Sequence, residues 1–144
     1  MPKALPAKAV ADMLVTAGCG TFAAVSGWGI FIGPLPKKPD TCILVNSTGG
    51  RNPFPNFLLD FPSVQVMVRG SENGHEDAWD KASACVDALL GMSSTAMGSD
   101  TYLACNQIGD ISFLGLDENQ RPLFSANFSF IVEPASGTHR VAIS

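Results

Sequence analysis

His75 and His139 are the only histidines in the sequence. Imidazole is the side chain most readily recruited to move protons or bind metal near neutral pH. Neither stands in a metal-binding or triad pattern. His75 opens an acidic stretch, Glu76, Asp77 and Asp80, whose carboxylates have the chemistry to hold a cation. Acids at a helix start are also stabilised by the positive end of the helix dipole, and that accounts for them without a metal. Gly27-Trp28-Gly29 and Ser47-Thr48-Gly49-Gly50-Arg51 have the small residues that let a backbone approach phosphate. Neither follows the GxxxxGK[ST] or GxGxxG order, and neither runs promptly into a helix whose amides would hold an anion. Cys19, Cys42, Cys85 and Cys105 are too widely spaced for a zinc finger, a redox CxxC or an iron–sulfur motif. Asn106 and Asn127 have no catalytic company. The sequence assembles no constellation, so we expect no enzyme, no cofactor and no metal.

The elements that would have to position such residues follow from length and pattern. A chain of 144 residues supports one substantial core. Apolar residues make up 46% and charged residues 15%, where globular chains average about 25% charged; so thin a charge favours apolar surface covered by partner subunits. Residues 1–51 hold five basic and two acidic side chains, and residues 52–144 hold four and eleven, an asymmetry that suits one face meeting another. No basic stripe supports tight nucleic-acid binding. No apolar run approaches the ~20 residues needed to span a membrane. Asp12 interrupts the apolar run after Lys3 and Lys8, so no signal peptide is expected, and free thiols fit a reducing cytosol.

The pattern predicts a helix from Pro6 to Ala17, with Lys8, Asp12 and Thr16 on a polar line and Gly18 as its stop. Short strands are predicted at 28–32 and 41–45. The unbroken apolarity of Cys42-Ile43-Leu44-Val45 implies cover on both faces, by a helix and by a partner. Val64, Val66 and Val68 alternate with Gln65, Met67 and Arg69 in a strand over 62–69. Asn73, with Glu76 three residues on, predicts the cap of a second helix. Ala78, Trp79, Ala82, Cys85, Val86, Leu89 and Leu90 form its apolar stripe, closed by Gly91. Strands at 102–108 and 111–116, a turn at Asp117–Gln120 and a long strand through Phe124, Ala126, Phe128, Phe130 and Val132 complete an antiparallel hairpin. The expected core includes Val64, Val66, Val68, Trp79, Val86, Leu89, Leu90, Phe128 and Phe130. The expected fold class is α+β, with a mostly antiparallel or mixed sheet of about five to six strands and two helices packed on one face. Residues 1–133 read as one domain and 134–144 as a flexible tail. Phe54 and Phe57 stand beside Pro53 and Pro55 in a polar loop, placed either to fold onto the core or to anchor a neighbouring subunit.

In order, these features resemble the tail terminator (minor capsid) proteins of long, non-contractile-tailed bacteriophages. The resemblance rests on the N-terminal helix, Gly33-Pro34-Leu35-Pro36-Lys37-Lys38-Pro39-Asp40, the strand Cys42–Val45 and Gly49-Gly50 before the Pro/Phe loop. It continues with Phe61-Pro62-Ser63-Val64-Gln65-Val66-Met67-Val68-Arg69-Gly70, the helix with Ala78-Trp79 and Ala84 through Leu89, Gly109-Asp110-Ile111, Arg121-Pro122 and the strand ending Phe130-Ile131-Val132. It covers about residues 5–133.

The resemblance implies a structural virion protein at the tail–neck junction of a siphovirus, assembled in the host cytoplasm. It implies a homo-oligomer, a hexameric ring, that caps the completed tail tube, meets the tube protein and a neck or head-completion protein, and lets DNA pass non-specifically through its lumen without any membrane partner. It makes Phe54, Pro55, Phe57, Gln65, Arg69 and Arg121 interface or positioning candidates. Another neck or head-completion protein, or a small monomeric ligand- or peptide-binding domain, are the competing readings.

Overall fold

The computed structural model describes residues 5–24, 27–54, 59–92, 94–97 and 100–134, with backbone only at 52–54. Among these residues the chain runs α1 (Pro6–Thr16), β1 (Thr21–Phe22), β2 (Gly29–Ile32), β3 (Cys42–Phe54), β4 (Leu59–Arg69), α2 (His75–Leu90), β5 (Thr95–Met97), β6 (Asp100–Leu116) and β7 (Pro122–Glu133). The strands form one seven-stranded sheet in the order β1-β2-β3-β4-β7-β6-β5. The pairs β1–β2 and β2–β3 are parallel, and every other pair is antiparallel. The class is α+β, but with seven strands rather than five or six. The two additional edge strands, β1 and β5, have two and three residues, too few for a period-2 pattern to register.

Both helices lie on one face of the sheet. α1 packs over β2, β3 and β4, α2 over β4, β7 and β6, and the helices touch each other. α1 begins with Pro6 in its first turn, where the missing N–H costs no hydrogen bond, and Gly18 leaves it with φ 80°. Its buried side, Ala7, Val10, Ala11 and Leu14, meets Ile43, Val45, Val64 and Val66 in a single core. The alternation in β7 operates as period 2 demands: Phe124, Ala126, Phe128, Phe130 and Val132 all enter that core. Burying a side chain such as Phe128 or Phe130 contributes about 1.5–3 kcal/mol in transfer terms.

α2 departs from the sequence reading at both its start and its stripe. Its N-cap position is Gly74, without a side-chain cap, because Asn73 takes the left-handed conformation at φ 64° and turns the chain before the helix begins. Ala78, Ala82, Cys85 and Leu89 are buried, and Val86 is half-buried against the core. Trp79 and Leu90 are not core residues: they are 43% and 45% exposed. At about 100° per residue, Trp79, Val86 and Leu90 form a second line roughly a quarter turn from the buried one. One sheet face cannot cover both.

Two strands are longer than their patterns implied. β3 continues past Val45 to Phe54 through register shifts at Ser47/Gly49 and Arg51/Phe54, so Gly49-Gly50 lies within the strand. Gly50, at φ 107°, faces the Phe61 carbonyl so closely that a Cβ has no room. β6 unites the two segments separated at Gly109, with irregular register between Ile108 and Ser112. The tail expected over 134–144 lies outside the described residues from 135 onward.

Candidate assembly surface

The helix-free face of the sheet is set by register. Asn46 lies opposite Gln65, Gln65 opposite Asn127, and Asn127 opposite Ile108. In the next row Ser63 faces Ser129 and Ser129 faces Asn106. Gln65, half-buried, thus stands mid-sheet in a field of uncharged amides and hydroxyls. Such a field makes hydrogen bonds to a neighbour without the desolvation cost of burying charge.

Arg69 and Arg121 do not present themselves to a neighbour. Arg69 is 2% exposed and Arg121 7%. Arg69 donates from Nε to the Asp40 carbonyl at 3.0 Å and from Nη2 to the Pro39 carbonyl at 2.8 Å. Arg121 donates from Nη1 to the Lys37 carbonyl at 2.8 Å and pairs with Asp40 and Asp117. Two guanidiniums therefore fasten the loop at 33–41 to the ends of β4 and β7. Asp40 of that loop and Asp117 of the β6–β7 turn both act on Cys42, where burial pushes the thiol up against the opposing pull of Arg69 and Arg121. At Cys42 the second face of β3 is in this way covered from within the chain. The loop also places Lys37 and Lys38 on a groove of about 820 Å³ shared with Glu72, Asp117 and Glu118, so part of the charge asymmetry of the sequence is met inside one subunit.

Beyond the outer side of α2 lies an apolar band that the sequence pattern hid. His75 meets Phe113 and Phe124 edge-on, each with ring centroids 5.0 Å apart, and Trp79 meets Phe124 at 5.8 Å. Phe124 is buried; Trp79 and Phe113 against it, and Leu116, which lines a hollow with His75, are all more than 40% exposed. Scattered exposed apolar residues are ordinary; aromatic side chains grouped along one helix–strand margin make a candidate contact surface. The signal was present in the excess width of the α2 stripe and in the run Ile111-Ser112-Phe113-Leu114-Gly115-Leu116, which has more large apolar residues than one strand face buries.

Of the loop candidates, Phe54 is paired through its backbone with Leu59, its side chain lying outside the described residues, as do Pro55 and Phe57. The structure brings Arg69 and Arg121 together at one loop and leaves Gln65 apart from them. Among the described residues no group of three His, Cys, Asp or Glu is placed to hold a metal ion, and no helix is long and apolar enough to cross a membrane.

The class of this α+β sheet domain comes from comparison with known families. A family model described as bacteriophage tail terminator protein matches residues 13–134. The chain belongs to that family. No curated protein matches it.

Proposed function

We propose that the chain is one subunit of a ring, a hexamer as the family resemblance implies, that caps the completed tail tube and joins it to the neck of the head. On this reading it resides in the virion at the tail–neck junction. Its partners are further copies of itself, the tail tube protein and a neck or head-completion protein, and DNA passes through the lumen without specific contact.

The observation that carries the reading is the band formed by Trp79, Phe113 and Leu116, each more than 40% exposed, on a chain that belongs to the tail terminator family. A ring subunit needs two unlike surfaces that meet by rotation. The band supplies an apolar one, with aromatic anchors of the kind that dominate protein contacts. The uncharged face around Gln65 supplies a surface of different character for tube or neck. Phe54, Pro55 and Phe57 stand as further contact candidates. Arg69 and Arg121 act one step back, by fixing the 33–41 loop.

Negative-stain electron microscopy of the purified chain, alone and mixed with tail tubes of the same phage, tests this. The expected result is closed rings and tube ends that carry one ring and elongate no further. Tubes that keep growing with bare ends, beside a chain that forms no ring, would overturn it.

A further inference from the structure

The two edges of the sheet belong to opposite parts of the chain, and a helix borders each. β1 lies at one edge in contact with α1; β6 and β5 lie at the other, with α2 against β6. The α1–β1 margin presents Val15 and Phe22, both exposed, and the Lys8 ammonium lies 5.0 Å over the Phe22 ring. Val15 stands two turns along from Lys8 on the same line of α1. The α2–β6 margin presents Trp79, Phe113 and Leu116. Exposed apolar side chains thus stand at both edges, but beside opposite charges.

Residues 70–120 hold nine acidic side chains and one basic, Lys81. At about 100° per residue, Glu76, Asp80 and Asp87 lie within about a third of a turn of Trp79 on α2. All three are exposed, and among the described residues none is in an ion pair. Lys81 lies on the other side of the helix, its Nζ 2.9 Å from the Cys19 carbonyl and 5.3 Å from the centre of the Trp28 ring, so it does not neutralise them. On α1, Lys8 pairs with Asp12 at 2.6 Å, with the two side chains 51% and 46% exposed. An ion pair so open to water contributes little, and Lys8 can exchange it for a neighbour's carboxylate at small cost.

We propose that the α2–β6 margin of one copy receives the α1–β1 margin of the next. Val15 and Phe22 pack on the neighbour's Trp79 and Phe113, while Lys8 leaves Asp12 for the neighbour's Glu76 or Asp80. Because the margins stand at opposite edges of one sheet, each contact leaves each copy with one margin free. Association then stops only when the series of copies closes by rotation. The contact rests on the ring reading and supplies the second of its two unlike surfaces.

Charge reversal tests the contact. Lys8→Glu gives a copy that is acidic at both margins, and Glu76→Lys with Asp80→Lys gives one that is basic at both. Like charges across a contact suppress it, so each variant alone should need about tenfold more protein to form rings. Mixed in equal amounts, the two should form rings at the unaltered chain's concentration, with the copies alternating. Negative-stain electron microscopy and native mass spectrometry, with and without tail tubes, read both results. Variants that assemble alone as readily as the unaltered chain, or a mixture that stays unassembled although the unaltered chain forms rings, overturn the contact and leave the ring standing. Absence of rings from the unaltered chain, with or without tubes, overturns ring and contact together. If a variant fails to fold by circular dichroism, zero-length carbodiimide cross-linking of unaltered rings decides. A peptide joining Lys8 to Glu76 or Asp80 is expected, and links between copies elsewhere without it overturn the contact.

Discussion

Arg121 reaches Asp40 across most of the chain, with Nη1 3.0 Å from Oδ1, and its Nε lies 2.8 Å from Asp117 Oδ2. The two arms differ in weight. The Asp40 side chain is 53% exposed, and an ion pair so open to water contributes little. The Asp117 arm is only 19% exposed and lies beside the buried hydrogen bond to the Lys37 carbonyl. Arg121→Met should therefore cost about 2 kcal/mol, chiefly by leaving that carbonyl and Asp117 without their donor. Urea unfolding followed by circular dichroism measures it, and an unchanged midpoint would assign the loop's position to Arg69 alone.

The same pair predicts a pH dependence. Burial opposes ionisation of Asp117, but the backbone N–H groups of Arg121 and Asn119, and then the Arg121 guanidinium, outweigh it and hold the carboxyl below its ordinary range. A carboxylate depressed in the folded state contributes stability that is full above its unfolded value and lost as pH falls through its folded one. The difference between the unaltered chain and Arg121→Met should stay constant from neutrality down to about pH 4 and shrink below it. Unfolding midpoints across that range read it directly.

Trp79 and Phe113 should matter to assembly more than to folding. Each is exposed over two-fifths or more of its surface, so Trp79→Ser with Phe113→Ser should lower stability by only about 1–2 kcal/mol. Ring formation or tube capping should be lost. A collapsed thermal melt would instead make the band part of the core.

Leu89 is the counter-case. It is 1% exposed, and Leu89→Ala should cost about 2–5 kcal/mol through lost burial and the cavity left behind. Leu89→Asp should prevent cooperative folding altogether, read as loss of the denaturation transition.

Gln107 makes a prediction of opposite sign. Its Nε2 is buried with no hydrogen-bond partner among the described residues, in a strand position opposite Phe128. Gln107→Leu removes an unmet donor while keeping the shape, and should raise stability by about 1 kcal/mol. A lower melting midpoint would show that the amide is satisfied.

The long, regular elements were legible because burial and period coincide in them. Val64, Val66 and Val68 in β4, and the phenylalanines of β7, alternate against a single core, and a one-residue slip would expose them all. The buried line of α2 was equally plain, but its width was not: Trp79 and Leu90 carry the same chemistry as Leu89, and only the geometry of one sheet face separates them. Asn73 shows another limit, since a residue that caps helices also tolerates the left-handed turn. The burial of Arg69 and Arg121, interface or positioning candidates by the resemblance, was not legible because their acceptors, the carbonyls of Lys37, Pro39 and Asp40, are backbone atoms with no signature in sequence. The family resemblance, by contrast, needed only the order of the features.

β6 carries one further consequence. Among the described residues a strand lies outside it only at Asp100–Tyr102, which leaves a long margin where another chain's strand would find backbone partners. That margin is broken by register shifts at Tyr102/Ala104, Ile108/Ser112 and Phe113/Gly115, with Gly109 and Gly115 in the left-handed region. Its longest regular piece is Ala104–Ile108, short for templating a strand, and interrupted edges of this kind are how sheet proteins avoid endless edge-to-edge growth. Copies of this chain are thereby steered away from edge-to-edge fibrils.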